Sequence, residues 1–203
     1  MKTIFLVRHG ETEANRNGVL QGWNNNPLDD TGFKQAQALA QRAEHLPIQT
    51  IYISDLLRTR QTAEPLCVVK GLTPVVEPAF REISFGKWEG VALSKMKAEA
   101  PEVLDMLFQD PVHVRVGAEE SFPAAQKRGW EAFSRIMEQQ EEGSISMIVT
   151  HGGLIRLLLC RMLDMPIEAM WRLSVANTAA CRINYLDEVG YCLNYMNWQG
   201  KLI

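Results

Sequence analysis

The chain is poor in features that would mark several other classes of protein. Its 203 residues hold only four cysteines, Cys67, Cys160, Cys181 and Cys192. No two have Cys-x-x-Cys spacing and all lie in apolar runs. That argues against a disulfide framework and predicts small buried hydrophobes in a reducing compartment. A basic excess is missing too: 21 Lys and Arg against 24 Asp and Glu leave a net charge of −3. Nucleic-acid binding is therefore not expected. A small anionic ligand stays open, because a few arginines in a cleft outweigh a weakly acidic surface. No apolar run reaches the ~20 residues of a membrane span, and no basic-then-apolar leader precedes the first strand pattern. A soluble cytoplasmic protein is the expectation. Neither repeats nor low-complexity segments occur, and no His, Cys, Asp or Glu cluster has metal-ligand spacing.

What is present is a 46% hydrophobic composition, enough for one substantial core and a single domain over 1–203. Strand and helix signals alternate. Thr3 to Val7 predicts a strand. Asp30 or Thr31 caps a predicted helix with Phe33, Ala36, Leu39, Ala40 and Ala43 on one face. Thr50 to Ser54 predicts a strand, Thr59 to Lys70 a helix stopped at Gly71, and Val75 to Glu77 a short strand. Residues 83–123 are irregular and read as an inserted cap. Ala124 to Gln140 predicts a long helix with Trp130, Phe133, Ile136 and Met137 as its core stripe. Ser146 to Thr150 predicts a strand and Leu154 to Leu163 a helix. Ala180 to Leu186 and Tyr191 to Met196 predict a closing hairpin. The expected architecture is a three-layer α/β/α domain with a mostly parallel sheet and one antiparallel strand.

Chemistry gathers at strand ends. Ile4-Phe5-Leu6-Val7 has the unbroken apolar character of a strand covered on both faces. Arg8, His9 and Gly10 follow at its carboxyl end, where open α/β sheets place their ligands. Gly10 permits an immediate turn and leaves room beside it. Met147 to Thr150 ends the same way, in His151-Gly152-Gly153 and a helix whose N–H groups attract anions. Ser54 to Ala63 again joins a strand to a helix, with Arg58 at the entrance. Arginine's planar fork suits phosphate oxygens.

Four motifs in order resemble one family. They are Leu6-Val7-Arg8-His9-Gly10-Glu11-Thr12, Ser54-x-x-x-Arg58-Thr59-x-Gln61-Thr62-Ala63, Arg81-Glu82-x-x-Phe85-Gly86-x-Trp88-Glu89-Gly90 and His151-Gly152-Gly153. Together they look like the histidine phosphatase superfamily, the phosphoglycerate mutase-like fold. Asn15, Gln21-Gly22 and Pro27-Leu28-x-x-x-Gly32 also match. The resemblance implies that His9 becomes phosphohistidine and that Arg8, Arg58 and His151 hold the phosphoryl oxygens. Asn15, Gln21, Gly22 and Gly152 help bind, and no metal or cofactor is required. Glu82 is implied as general acid and then base for water, with Glu89 or Glu11 as substitutes. A carboxyl acid must start protonated, so an optimum below neutral pH is expected. His9 needs a partner on its other ring nitrogen, and the backbone near Gly10 is the family-like candidate.

Trp88, Phe85 and Trp23 are either core residues or walls around the leaving group. Phe85, Trp88, Val91, Leu93 and Met96 suggest a leaving group with apolar surface. Arg60, His45 and His113 read as bystanders. Gly117-Ala118-Glu119-Glu120-Ser121 and Asn177-Thr178-Ala179 depart from the family pattern and are placed at the substrate mouth.

The resemblance covers phosphomonoester hydrolases, including broad-specificity, α-ribazole, phosphoserine and sugar-phosphate phosphatases, and cofactor-dependent phosphoglycerate mutases. A non-catalytic phosphate-binding module on the same fold is a third reading. Lys87, Lys95, Lys97 and Arg115 are scattered along a short cap, which favours hydrolysis over the mutase. The expected partner is a small phosphorylated metabolite, and the protein a monomer or homodimer.

Overall fold

The computed structural model describes residues 1–114, 116 and 120–203. In chain order the elements are β1 (Lys2–Arg8), α1 (Glu13–Arg16), α2 (Asp30–Ala43), β2 (Ile48–Ile53), α3 (Leu57–Lys70) and β3 (Val75–Val76). Then come α4 (Leu93–Glu99), α5 (Pro101–Gln109), α6 (Phe122–Gln139), β4 (Ile145–Thr150), α7 (Gly152–Met162), β5 (Ala180–Leu186) and β6 (Gly190–Trp198). Short 3₁₀ turns lie at Pro78–Phe80, Gly86–Trp88 and Ile167–Arg172. No helix among the described residues is long and apolar enough to cross a membrane.

The six strands form one sheet in the order β3-β2-β4-β1-β5-β6. β1, β2, β3 and β4 pair in parallel, whereas β5 runs antiparallel to both its neighbours. Alternation along β1 builds the two faces. Ile4 and Leu6 enter the core with Phe133 and Ile136 of α6 and Leu158 of α7. Phe5 and Val7 enter the opposite core with Leu39 of α2 and Leu66 of α3. Side chains on a strand alternate between faces, so an unbroken apolar run is what a sheet covered on both sides requires. From β1 the chain leaves toward α2 on one face, and from β4 toward α7 on the other. The β1–β4 boundary is thus the topological switch point, the position where such sheets bind ligands.

Some boundaries differ from the sequence reading, each for a local reason. The α2 cap is Asp29, whose side chain accepts from Gly32 N–H at 2.8 Å. Phe33 is exposed rather than in the helix's core stripe. The α6 helix starts two residues earlier, at Phe122, because Ser121 caps it and Pro123 fits its first turn. Trp130 is only partly buried and stacks beside Phe133 and Tyr191. Cys67, Cys160 and Cys181 are buried free thiols, but Cys192 is only partly buried.

The largest difference lies within 83–123, where two helices, α4 and α5, occupy a stretch read as irregular. They form a small core of their own. Met96, Leu104 and Leu107 pack with Ile83, Trp88 and Phe122 and grip Leu157 and Cys160 of α7. Short amphipathic helices broken at Ala100-Pro101 give little periodic signal, and tertiary packing supplies most of their stability. Arg115 and Gly117-Ala118-Glu119 lie outside the described residues.

Candidate active site

Strand register brings the site together. Arg8 pairs with Thr150 across β1 and β4, so His9 and His151 emerge side by side. Their ring centroids are 5.3 Å apart. Ile53 pairs with Val149, so Ser54 emerges next to the same point from β2. A cleft of about 140 Å³ opens there, small beside the roughly 300–1,000 Å³ of ordinary small-molecule pockets. A hollow of about 650 Å³ beside α3, lined by Cys67, Val68 and Pro74, is larger but brings no comparable groups together.

His9 is held from several sides. Its Nδ1 lies 2.7 Å from the Gly10 carbonyl oxygen. A carbonyl only accepts, so Nδ1 carries the proton and Nε2 presents a bare lone pair. The His9 N–H donates to Thr150 O at 2.9 Å. Its carbonyl accepts from Asn177 Nδ2 at 2.9 Å. Gly10 N–H donates to Thr62 Oγ1 on α3, also at 2.9 Å. The space beside Gly10 is filled by protein rather than left for a ligand: a Cβ there would lie 2.7 Å from the Gly32 oxygen at the start of α2.

Arg58 is fully buried and spends part of its fork on the protein. Nη2 donates to Gly22 O at 2.8 Å, Nη1 to Asn24 O at 2.7 Å and Nε to His151 Nδ1 at 3.2 Å. A guanidinium has five N–H groups, so two remain, and the residue lines the cleft. Burial pushes its pKa down to about 10, which leaves it charged at neutral pH. Since His151 Nδ1 accepts from Arg58, the His151 proton sits on Nε2, which donates to Ser54 Oγ at 2.8 Å. In this arrangement both ring nitrogens of His151 are engaged, contrary to a free phosphate donor. Arg8 donates Nη1 to Val175 O at 2.7 Å, while its Nε is buried without a partner.

Glu82 occupies the α7 amino terminus. Its Oε1 accepts from Ile83 N–H (2.9 Å) and Leu154 N–H (3.1 Å), and Oε2 from Gly153 N–H (3.0 Å). The anion at this helix end is therefore the protein's own carboxylate, where the sequence suggested a bound phosphate. Only a glycine at 153 permits this, because a Cβ would fall 2.5 Å from Glu82 Oε1. Of the three acid candidates, Glu82 alone lines the cleft. Glu89 turns to Phe85 N–H and Ser84 Oγ instead. It also covers Gly22, whose φ of +49° and absent side chain make room for that carboxylate.

Asn15, Gln21, Gly22 and Gly152 line the cleft. Trp88 does not. It is 7% exposed and belongs to the cap core, with Lys87 against its ring. Met96 is likewise cap core, and of the five apolar cap residues only Phe85 borders the cleft. Trp23 stands behind the acid, donating Nε1–H to Glu82 O at 2.8 Å. Asn177 supports the loop after β1, its Nδ2 donating to His9 O and Asn15 Oδ1.

Three contributors escaped the sequence reading. Arg156 and Trp171 line the cleft. Arg156 was detectable as the residue one helical turn after Gly152. Arg128 of α6 pairs both carboxylate oxygens of Glu120 (2.7 and 2.8 Å) and donates to the carbonyls of Ala79, Arg81 and Glu82. It fixes the backbone that carries Glu82, and no local pattern marks it.

Burial, then the nearby Arg58 and Arg8, hold the His9 pKa well below its ordinary value. Burial, followed by Arg58, does the same for His151. Both stay neutral when folded, while in the unfolded chain they titrate near pH 6.5. Below that pH the unfolded state binds more protons than the folded one. Stability is therefore intact above about pH 6.5 and falls on acidification by about 1.4 kcal/mol per pH unit for each histidine. The fall lasts until the folded protein itself takes up the protons. Urea unfolding between pH 7.5 and 5 should show this slope, and a His151→Gln variant should show roughly half of it.

The model of the histidine phosphatase superfamily (branch 1) matches residues 4–198. A probable phosphoglycerate mutase GpmB of Yersinia pestis is 32% identical over 187 residues, covering 92% of this chain and 86% of the relative. The alpha-ribazole phosphatase of Shigella flexneri superposes with a TM-score of 0.87 at 27% identity, over 99% of this chain and 98% of that one. A mycobacterial glucosyl-3-phosphoglycerate phosphatase gives 0.89 at 25% identity, over 97% and 99%.

Proposed function

The chain belongs to the histidine phosphatase superfamily, and from that membership we propose that it hydrolyses phosphomonoesters of a small metabolite through a phosphohistidine. The observation that carries the reading is His9. Its Nδ1–H is tied to Gly10 O at 2.7 Å, and its bare Nε2 belongs to a residue lining a cleft with the buried Arg58 and the partly buried Arg8. Burial keeps that ring neutral, as a nucleophile must be.

In the proposed reaction the spare N–H groups of Arg8 and Arg58 hold the phosphoryl oxygens, with Asn15, Gln21 and the backbone of Gly22 and Gly152 around them. His151 acts through Arg58, which it helps to orient. Nε2 of His9 attacks phosphorus, the ester P–O bond breaks, and Glu82 gives its proton to the departing alkoxide. Glu82 then takes a proton from water as that water's oxygen attacks the phosphohistidine, freeing inorganic phosphate and His9. Charge develops on the phosphoryl oxygens throughout, so prepositioned cations do most of the work. Glu82 accepts from the backbone N–H groups of Ile83, Gly153 and Leu154, which hold its carboxyl group at the edge of the cleft. Because burial and the nearby Arg58 and Arg8 keep His9 neutral on the acid side, activity persists there.

Phosphoglycerate mutase is the second reading, favoured by the identity to the Yersinia pestis relative. A mutase must hold a second phosphate while excluding water. Lys87, Lys95 and Lys97 of the cap do not line the cleft, which supports hydrolysis. Incubation with 3-phosphoglycerate and 2,3-bisphosphoglycerate separates the two. Release of inorganic phosphate is expected. Stoichiometric conversion to 2-phosphoglycerate would reverse the choice.

A further inference from the structure

Arg156 has no role in the phosphoryl chemistry described above, yet it faces the same cleft. It lies one turn after Gly152 on α7, and helical side chains lean toward the amino terminus. Gly152 has nothing to block it. A Cβ at 152 would lie 3.2 Å from both Arg156 Nη1 and Arg8 Nε. Two guanidiniums thus converge at the α7 amino terminus, beside the Glu82 carboxylate that already occupies it.

The side chain is anchored for a purpose beyond packing. Its Nε donates to Leu173 O at 2.7 Å. Its guanidinium carbon stands 5.7 Å from the Trp171 ring centroid, and Trp171 is itself fixed by its indole N–H on Leu107 O at 2.9 Å. No ion pair with Arg156 occurs among the described residues. The terminal nitrogens are left as a fork that fits a carboxylate.

Charge balance gives the fork its ligand. Arg8, Arg58 and Arg156 face the cleft with the single carboxylate of Glu82. When Glu82 is protonated, as the acid step needs, three positive charges face the two of a phosphoryl dianion. That leaves one positive charge unmatched, and Arg156 stands against Trp171 in a cleft that Phe85 also lines.

Resting on the hydrolase reading and deepening it, we propose that Arg156 is a specificity-determining residue that binds an acid group on the leaving alcohol. The substrate class is then phosphomonoesters of hydroxy acids. Phe85 and Trp171 flank the carbon skeleton between the two anionic groups.

Two esters test this: 3-phosphoglycerate, and glycerol 3-phosphate, in which a hydroxymethyl group replaces the carboxylate. Calorimetry on His9→Ala protein measures affinity without turnover. The acid ester should bind about tenfold or more tightly, the worth of a charge-assisted contact. In His9→Ala/Arg156→Gln the preference should shrink to about threefold or less, and Arg156→Lys should keep part of it. The same pattern should appear in KM rather than kcat when His9 is restored. Equal affinities before the Arg156 change, or a preference that survives it, would overturn the proposal. So would an equal loss for both esters and inorganic phosphate, which would put Arg156 in the phosphoryl cradle. If the hydrolase reading alone fails, no phosphate is released, while the affinity ratio still decides the role of Arg156.

Discussion

His9→Ala should lose at least about 10⁴-fold in turnover while remaining folded and able to bind inorganic phosphate. The expectation follows from what the ring does. In the proposed covalent route, replacing His9 removes the atom that would attack phosphorus, and the oxyanion-stabilising groups that remain recover little without it. The cationic residues do not depend on the ring: Arg58 is held by Gly22 O and Asn24 O, and Arg8 by Val175 O. Binding should therefore survive while chemistry fails. Rapid mixing of wild type with a ³²P-labelled ester, stopped in alkali to preserve acid-labile phosphohistidine, should trap label on His9. Normal turnover with no label on the ring would remove the covalent mechanism. Turnover by His9→Ala near the wild-type rate would remove His9 altogether.

Arg58→Met should cost both stability and activity, because one buried cation serves both. Methionine fills much of the volume but leaves Gly22 O, Asn24 O and His151 Nδ1 without their donor. Orphaned buried acceptors cost about 1–3 kcal/mol each, which applies to Gly22 O and His151 Nδ1 more than to the part-buried Asn24 O, and is offset in part by no longer burying a charge. A net loss of about 2–5 kcal/mol is expected, a fall in Tm of roughly 5–15 °C for a chain of this size. The catalytic loss should reach about 10²–10³-fold, typical for removal of one preorganised charge. A further signature separates this from simple misfolding. Arg58 is a cause of the low pKa of both His9 and His151, so its removal should raise both. The acid limb of activity then moves to higher pH. Arg58→Lys should not restore wild-type behaviour, since an ammonium cannot reach two carbonyls and an imidazole as the planar fork does. An unchanged acid limb in folded Arg58→Met protein would show that the cation does not govern the histidines.

The sheet was readable in advance where each strand carried its own evidence. Ile4-Phe5-Leu6-Val7 and Met147-Ile148-Val149 are buried on both faces, so their apolar runs are unbroken. Gly71 stops α3 with φ +64°, a conformation glycine adopts without strain. The helices α4 and α5 were not readable, because they are short and depend on Trp88, Phe122 and Leu157 for their burial. Trp88 illustrates the limit: an aromatic beside a functional motif carries no local mark of the side to which it turns.

The sequence by itself determined that Arg8, His9, Arg58 and His151 are brought to one edge of a parallel sheet, while Glu82 was named only through the family resemblance. Strand ends and backbone turns are encoded within a few neighbouring residues, and parallel strands share the edge at which they end. Only the tertiary structure decided what each group does there. It turned Arg58 onto main-chain carbonyls, set Glu82 on the N–H groups of α7, drew Arg156 across Gly152 and put Arg128 behind the acid. Those contacts join residues far apart in the chain, and their energies depend on burial and on which donor finds which acceptor, neither of which any local pattern encodes.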